Sequence, residues 1–413
     1  MKILFVVKSK QIETLGPMYL SSIAKQAGYE CRIVDINEAL DIALSCLPDI
    51  IGYSVLTGNQ GQFITLNENL KRTFSFISIV GGPHATFFPS DFEDNEHIDY
   101  VVRGEAENWM AKFLHFHKRY PDLDLIPWPD RTDFPDHKIR DFIASRGCVY
   151  GNCTYCYNKK WAELSPGVPK VRYRSVDNVV EEILSVKPEF VYFQDSCFGT
   201  SMGWLEKFSE QYKSKAQIPF HCHLRPSQAT KERIQLLKGA GCVSVRIALE
   251  TASDKLRRVI GRPHTSNAET IKAAALLKKW GIKLMIQNMI GIGSSTIEED
   301  LQTLEVNLMC QPDYGWCSIY QPYPGTVLGD ECKKRGWYSG NFSEISDCFF
   351  DTTTLNFPPE HVEQLECLQK IFAFCVEMQA VPEIDDLTRE RLPKFIHSAM
   401  RKVGDKRMFP GIL

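Results

Sequence analysis

Three cysteines fall within nine residues, Cys148-Val149-Tyr150-Gly151-Asn152-Cys153-Thr154-Tyr155-Cys156. Three thiolates on one short loop can ligate three irons of a cubane [4Fe–4S] cluster and leave the fourth iron open to a substrate or cofactor. A structural zinc is the competing reading, and it wants a fourth ligand, usually from a second Cys/His pair at similar spacing. None follows closely: the next cysteine is Cys197, and the next histidine, His221, sits in a strand-like segment. Reduced thiols that bind nothing are the third reading. The spacing favours a catalytic iron–sulfur cluster.

Other groups able to do chemistry gather where apolar runs end. They are Gln194-Asp195-Ser196-Cys197, His221-Cys222-His223-Leu224-Arg225, Arg246-Ile247-Ala248-Leu249-Glu250, Gln287-Asn288-Met289-Ile290-Gly291 and Tyr320-Gln321-Pro322-Tyr323-Pro324-Gly325-Thr326. A charge ending an apolar strand is costly without a partner or a ligand. Each has a structural alternative, such as a salt bridge between Arg225 and Glu250 inside a barrel. Cys197 and Cys222 read as buried, inert thiols.

These groups need elements to hold them. Residues 1–115 alternate strands (Ile3–Val7, Cys31–Asp35, Asp49–Ser54, Ile77–Gly81, Tyr100–Arg103) with helices such as Pro17–Ala27. That alternation predicts a doubly wound parallel sheet with ligands in the crevice at the strands' carboxyl ends. Residues 116–140 are proline-rich and read as an extended linker. Its Trp128 is placed to approach whatever the two domains bind.

From 141 to 335 the alternation resumes, with strands at Phe142–Ser145, Phe190–Gln194, Phe220–Leu224, Val243–Leu249, Lys283–Ile290 and Trp316–Gln321. Helical spacing marks Val179–Val186, Lys231–Ala240, Ala268–Trp280 and Glu298–Leu308. Residues 336–413 read as a helical region capping the open side of the barrel, with Leu365, Leu368, Ile371, Phe372 and Cys375 on one face. The basic residues Arg401, Lys402, Lys406 and Arg407 read as a solvated tail.

The cysteine loop resembles the cluster loop of the radical S-adenosylmethionine (SAM) enzymes, usually C-x3-C-x2-C with an aromatic before the last cysteine. Tyr155 is that aromatic, and the lead-in Ser145-Arg146-Gly147-Cys148 is typical of members with a cobalamin-binding domain in front. Here four residues, not three, separate Cys148 from Cys153; Gly151 can take positive φ and loop the extra residue out.

A second resemblance lies in Ile51–Thr57, Gly81-Gly82-Pro83-His84-Ala85-Thr86 and Val101–Glu107, which look like that cobalamin-binding domain. It implies that Gly81 and Gly82 allow close backbone approach, and that Ser54 and Thr57 bond the nucleotide base. His84, Gly104 and Glu105 complete the set. The D-x-H-x-x-G motif of other cobalamin families is absent, as is usual in the radical SAM group; Leu56 or a neighbour would then cover the lower face of the cobalt. A flavodoxin-like domain that merely braces the core is the bland alternative.

The resemblances imply an α/β fold. A Rossmann-like cobalamin domain precedes a partial (β/α)6 TIM barrel, whose chemistry collects at the strands' carboxyl ends. They imply a [4Fe–4S] cluster on Cys148, Cys153 and Cys156, together with SAM and cobalamin. Asp195 and Ser196 fall where the family meets the amino group of SAM, and Glu250 where a further SAM contact lies. Arg225 is a candidate for the SAM carboxylate. Backbone around Ile290 and Gly291 would face adenine, and Pro322–Thr326 would form a shape-giving turn. In this family a reduced cluster cleaves SAM to a 5′-deoxyadenosyl radical, and cobalamin carries a methyl group to the substrate.

The leading expectation is a cobalamin-dependent methyltransferase acting on carbon or phosphorus of a small molecule. Rearrangement, ring contraction or cyclisation without methyl transfer is the alternative. A tRNA methylthiotransferase would need three cysteines in the first domain, where only Cys31 and Cys46 occur. A sensor would need an attached signalling segment, and none is visible. A net charge of −3 gives no reason to expect nucleic acid or an anionic membrane. No apolar run reaches about 18 residues. Fourteen cysteines without an export signal predict a reducing cytoplasm. An electron donor such as a flavodoxin or ferredoxin is the implied partner.

Overall fold

The first five apolar runs form strands β1 (Lys2–Val7), β2 (Glu30–Asp35), β3 (Ile50–Ser54), β4 (Ile77–Gly81) and β5 (Tyr100–Val101). In the computed structural model, which describes residues 1–403 except 165–166 and 347, they make one parallel sheet in the order β2-β1-β3-β4-β5. Every residue of β1 after Lys2 is buried, as a strand covered by helices on both faces must be. The order reverses between β1 and β3, which opens the crevice at their carboxyl ends.

Residues 116–140 are not a bare linker. Tyr120, Leu123, Ile126 and Phe134 join the core of the first sheet beside Met18 and Ile23. Asp130 accepts from Ser21 Oγ at 2.6 Å, and Asp133 accepts the Ile33 N–H at 2.7 Å. The prolines bend the chain around the domain. Trp128 lies there as well, its carbonyl accepting from Ser22 Oγ.

The second sheet is built from β6 (Ile139–Phe142), β9 (Phe190–Phe193), β10 (Phe220–Leu224), β11 (Cys242–Glu250), β12 (Lys283–Ile290) and β13 (Tyr314–Ile319). All neighbours are parallel, in the order β13-β12-β11-β10-β9-β6, a half-barrel open between its edge strands. The strand expected over Phe142–Ser145 is two pieces: β6 ends at Phe142, and β7 (Ser145–Gly147) pairs antiparallel with β8 (Val171–Tyr173) outside the half-barrel.

Alternation fixes what each face carries. Val191, Phe193, Phe220, Cys222, Val245, Ile247, Leu284 and Ile286 point outward into one core with the helices. Their neighbours Tyr192, His221, His223, Arg246, Met285 and Gln287 are left on the concave side. The outer helices start just past the strand ends because Ser175, Ser201, Thr230, Ser266 and Thr296 each accept a first-turn N–H.

The C-terminal helix Pro359–Met378 does not cap the open side. It packs behind β13, where Leu365, Leu368, Ile371, Phe372 and Cys375 share a core with Cys317 and Ile319. The open edge of β13 is taken instead by 349–352. The Phe349 carbonyl accepts the Ile319 N–H at 2.8 Å, and the Thr352 carbonyl accepts Gln321 Nε2 at 2.7 Å. Lys406 and Arg407 of the expected basic tail lie outside the described residues, as does the side chain of Lys402.

Candidate active site

Cys148, Cys153 and Cys156 sit on the loop between β7 and the helix Tyr157–Leu164, all half-buried and free. Gly151 has φ +61°, the conformation its extra residue calls for. The loop is strapped to the end of the short helix Asp254–Val259 that follows β11. Thr154 N–H donates to the Ile260 carbonyl at 3.1 Å, Thr154 Oγ1 to the Val259 carbonyl at 2.7 Å, and Tyr150 Oη to the Gly261 carbonyl at 2.7 Å. A Cβ on Gly261 would lie 2.5 Å from the Asn152 carbonyl oxygen, so the two backbones touch only because that residue is glycine.

Asn158 Nδ2 donates to Cys156 Sγ at 3.4 Å. Burial pushes the Cys153 thiol up to about 11 and raises Cys156 as well. Loading a metal centre here therefore has to displace protons. Among the described residues no three His, Cys, Asp or Glu side chains converge as a single metal ion requires. A cubane asks each of three cysteines for a separate iron and leaves the fourth iron open, which is the number of thiols this loop supplies.

Beside the loop, β11 ends at Glu250, which holds φ +66° after a break in register with β12. Tyr155 Oη donates to Glu250 Oε1 at 2.7 Å, and Arg262 Nη1 lies 3.4 Å from the same oxygen. Glu250 is buried, and Oε2 has no partner. Burial outweighs Arg262 and raises its proton affinity above the ordinary carboxylate value. A strained backbone with an orphaned carboxylate oxygen marks a ligand-facing group. The structural alternative for these two residues, an Arg225–Glu250 bridge, is not formed: Arg225 lies 4.0 Å over the Tyr150 ring, in the cluster loop itself. Arg262, which belongs to no motif, balances the charge instead.

Asp195 lies behind this surface, 1% exposed, accepting the Ala144 N–H at 3.0 Å and Ser145 Oγ at 2.5 Å. Burial lifts it to about 6, and it fixes the chain entering β7. Ser196 is exposed and accepts from Asn158 Nδ2 at 3.3 Å. Ile290 is fully buried in the core behind β13. Gly291 (φ +69°) donates its N–H to Asp300 at 3.1 Å. Asp300 itself is buried without a cation, which pushes it up to about 8.

In the first domain, Ser54, Gly81, Gly82, Gly104 and Glu105 line a cavity of about 310 Å³ at the strand ends, over Phe5, Tyr19, Trp109 and Met110. A glycine-rich mouth over an apolar floor fits a broad, flat ligand such as a corrin, and no histidine lines it. Thr57 and His84 face elsewhere. His84 is fully buried, with Nδ1 2.9 Å from Thr57 Oγ1 and Nε2 2.9 Å from Asp91 Oδ2. Thr57 Oγ1 in turn lies 3.5 Å from Tyr157 Oη, next to Cys156. Leu56 is also absent from the lining. Gly82 serves the chain itself, since a Cβ there would lie 2.8 Å from the Val55 N and O.

A second cavity, about 220 Å³, is lined by Ser145, Asn158, Lys170, Arg172, Gln194 and Ser196. The two cavities share a wall of Glu105, Ile143, Arg146 and Trp161. Arg146 pairs with Glu107 at 2.6 Å and with Glu105 at 3.3 Å, and Arg172 also pairs with Glu105. Phe87 stacks on Tyr157 at 4.2 Å between centroids, 5° from parallel. The helix leaving the cysteine loop thus packs directly on the first domain.

The comparisons agree with this layout. Residues 1–114 match the B12 binding domain and residues 142–306 the Radical SAM superfamily. An uncharacterized methyltransferase of Pyrococcus horikoshii is 25% identical over 367 residues, 76% of this chain and 77% of that one. An anaerobic magnesium-protoporphyrin IX monomethyl ester cyclase of Cereibacter sphaeroides is 22% identical over 380 residues, covering 77% and 60%. The methyltransferase TsrM of Kitasatospora setae, solved with cobalamin and a [4Fe–4S] cluster, shares the fold with a TM-score of 0.66 at 15% identity, covering 81% of this chain and 78% of that one. A further structure of it holds tryptophan substrate and a SAM analogue. The chain thus carries a B12-binding domain followed by a radical SAM domain.

Proposed function

We propose that this enzyme methylates an unactivated carbon, or a phosphorus, of a small molecule, using SAM at the cysteine loop and cobalamin in the first-domain cavity. The observation that carries this reading is the shared wall: Arg146, two residues before Cys148, lines both cavities. The two cavities adjoin along that wall, so a group carried in the first would lie next to a substrate in the second. When bound, the cluster and SAM supply a hydrogen-abstracting radical and cobalamin supplies the methyl carrier.

The chain's own residues position and shield. Cys148, Cys153 and Cys156 hold the cluster, and Arg225, Ser196 and Glu250 surround the SAM position, with Tyr155 and Arg262 orienting Glu250. Asp300 holds the Ile290–Gly291 turn, and Ser54, Gly81, Gly82, Gly104 and Glu105 receive cobalamin. Thr57 and His84 support that domain against Tyr157. The named activities of the P. horikoshii relative and of TsrM support methyl transfer. The cyclase relative supports the second reading, a rearrangement or cyclisation that uses both cofactors and moves no methyl group. A reductant of flavodoxin or ferredoxin type would complete the system.

The test is anaerobic reconstitution, with iron and cobalamin counted per chain, followed by incubation with SAM and a reductant. Formation of 5′-deoxyadenosine is expected, and replacing Cys148, Cys153 or Cys156 by Ala should abolish it. Unchanged cleavage in all three variants refutes the assignment. S-adenosylhomocysteine formed alongside 5′-deoxyadenosine marks methyl transfer; its absence during turnover favours the second reading.

A further inference from the structure

The concave face of the half-barrel carries a cation with no anion beside it. Arg246, half-buried at the middle of β11, lies with Nη2 2.7 Å from His223 Nε2. Among the described residues no carboxylate lies within ion-pair distance of it. The carboxylate whose field it feels, Glu250, sits four residues on, roughly 13 Å along the strand, and is already paired with Arg262. Asp141 on β6 is engaged by Gln194 at 2.7 Å.

Its neighbours are neutral. Burial and the adjacent guanidinium push His221 down to about 3 and His223 well below its usual value. Tyr192 stacks on His221 at 4.5 Å and its hydroxyl lies 3.2 Å from His223 Nε2. His221 is 5% exposed; its Nδ1 bonds Ser244 at 2.8 Å, while Nε2 has no partner. A buried ring nitrogen left orphaned next to an uncompensated guanidinium is an arrangement that costs free energy unless something fills it.

We propose that the substrate carries an anionic oxygen group, a carboxylate or a phosphate-type group, held inside the half-barrel by Arg246 with His221 and His223. This deepens the methyltransferase reading and rests on it for the position of SAM, at the strand ends above. A planar guanidinium suits such groups because its N–H donors match two oxygens at once. The anionic end would bind deep, leaving the rest of the molecule to extend toward the cysteine loop and the shared wall.

SAM brings a carboxylate of its own, so the test must separate the two sources. Protein loaded with cluster and cobalamin is titrated calorimetrically with inorganic phosphate, with acetate and, separately, with SAM. Phosphate or acetate should bind wild type, and Arg246→Met should weaken that binding about tenfold or more, the loss expected of a charge-assisted contact. Arg246→Lys, which keeps the charge and stem, should fall between them. No anion binding by wild type, or equal binding by wild type and both variants, overturns the proposal. A parallel loss of SAM affinity in both variants overturns it too, by assigning Arg246 to the cofactor. None of these measurements requires turnover, so failure of the radical reading would show separately, as absent 5′-deoxyadenosine.

Discussion

Glu250 and Asp300 are two buried carboxylates with different compensation. Glu250 keeps one cation, Arg262 at 3.4 Å, so Arg262→Met should strand a buried charge and destabilise the barrel by about 3–5 kcal/mol. Glu250→Gln in the same chain should recover most of that loss. Denaturant melts of the two single variants and the double variant measure the coupling, and additive losses would show that the pair is not coupled. Asp300 has no cation and stays protonated in the folded protein to about pH 8, whereas an unfolded Asp ionises near pH 4. The folded state binds the extra proton between those values. Its contribution is therefore complete below about pH 4 and is lost as pH rises toward 8. Asp300→Asn should flatten the decline in melting temperature between about pH 5 and pH 8, as followed by thermal scans. Residue identities at the cysteine loop were legible because three thiols at close spacing allow few chemistries. Arg262 was not, because its role depends on a turn touching Glu250, and a lone arginine after a glycine carries no signature.

At the scale of elements, most strands and helices lie where periodicity places them: Phe220–Leu224, Lys283–Ile290 and Lys231–Ala240 agree to the residue. Three-residue strands such as β7 and β8 are too short to show alternation, and the helix Met202–Lys215 buries only Leu205, Phe208, Ser209 and Tyr212, a stripe too sparse to read. Past a strand's end the alternation stops. That is why Ser54 could be placed in the crevice while Thr57, three residues later, turns toward Tyr157. The glycines of the first domain separate two reasons for being glycine. Gly82→Ala would put a Cβ 2.8 Å from Val55 backbone at φ +96°, so it should unseat the β3–β4 loops and abolish cobalamin retention, read from the visible spectrum. Gly28→Ala, at φ +90°, meets nothing within 4 Å, lies outside the cavity and bears only the positive-φ cost of about 1–2 kcal/mol, so retention should persist. Equal retention by the two variants would contradict this division.

The whole molecule must keep two cavities in register across a shared wall, and a buried ion network does part of that. Glu13, on the loop after β1, pairs with Arg131 from the wrapping segment and with Arg140 of β6 at 2.7 Å. It also accepts the Asp141 N–H at 2.8 Å. Arg131 continues to Glu182 at 3.0 Å, and Glu182 to Arg174 at 2.5 Å, so charges alternate from the first domain into the outer helices of the barrel. Removing one member leaves its partners buried and unpaired, which costs more than the intact network gains. Glu13 lies far along the chain from the cysteine loop and lines neither cavity. Its substitution therefore tests alignment and not chemistry. In Glu13→Ala, calorimetry should show the domains melting in two separated transitions where the wild type melts in one. SAM cleavage should survive, since the cysteine loop and Glu250 belong wholly to the barrel. S-adenosylhomocysteine formation should fall, because it needs the first-domain cavity held against Arg146 and Trp161. Loss of both products together, with one transition retained, would mean that the network supports the barrel alone and that the packing of Phe87 on Tyr157 suffices to set the register.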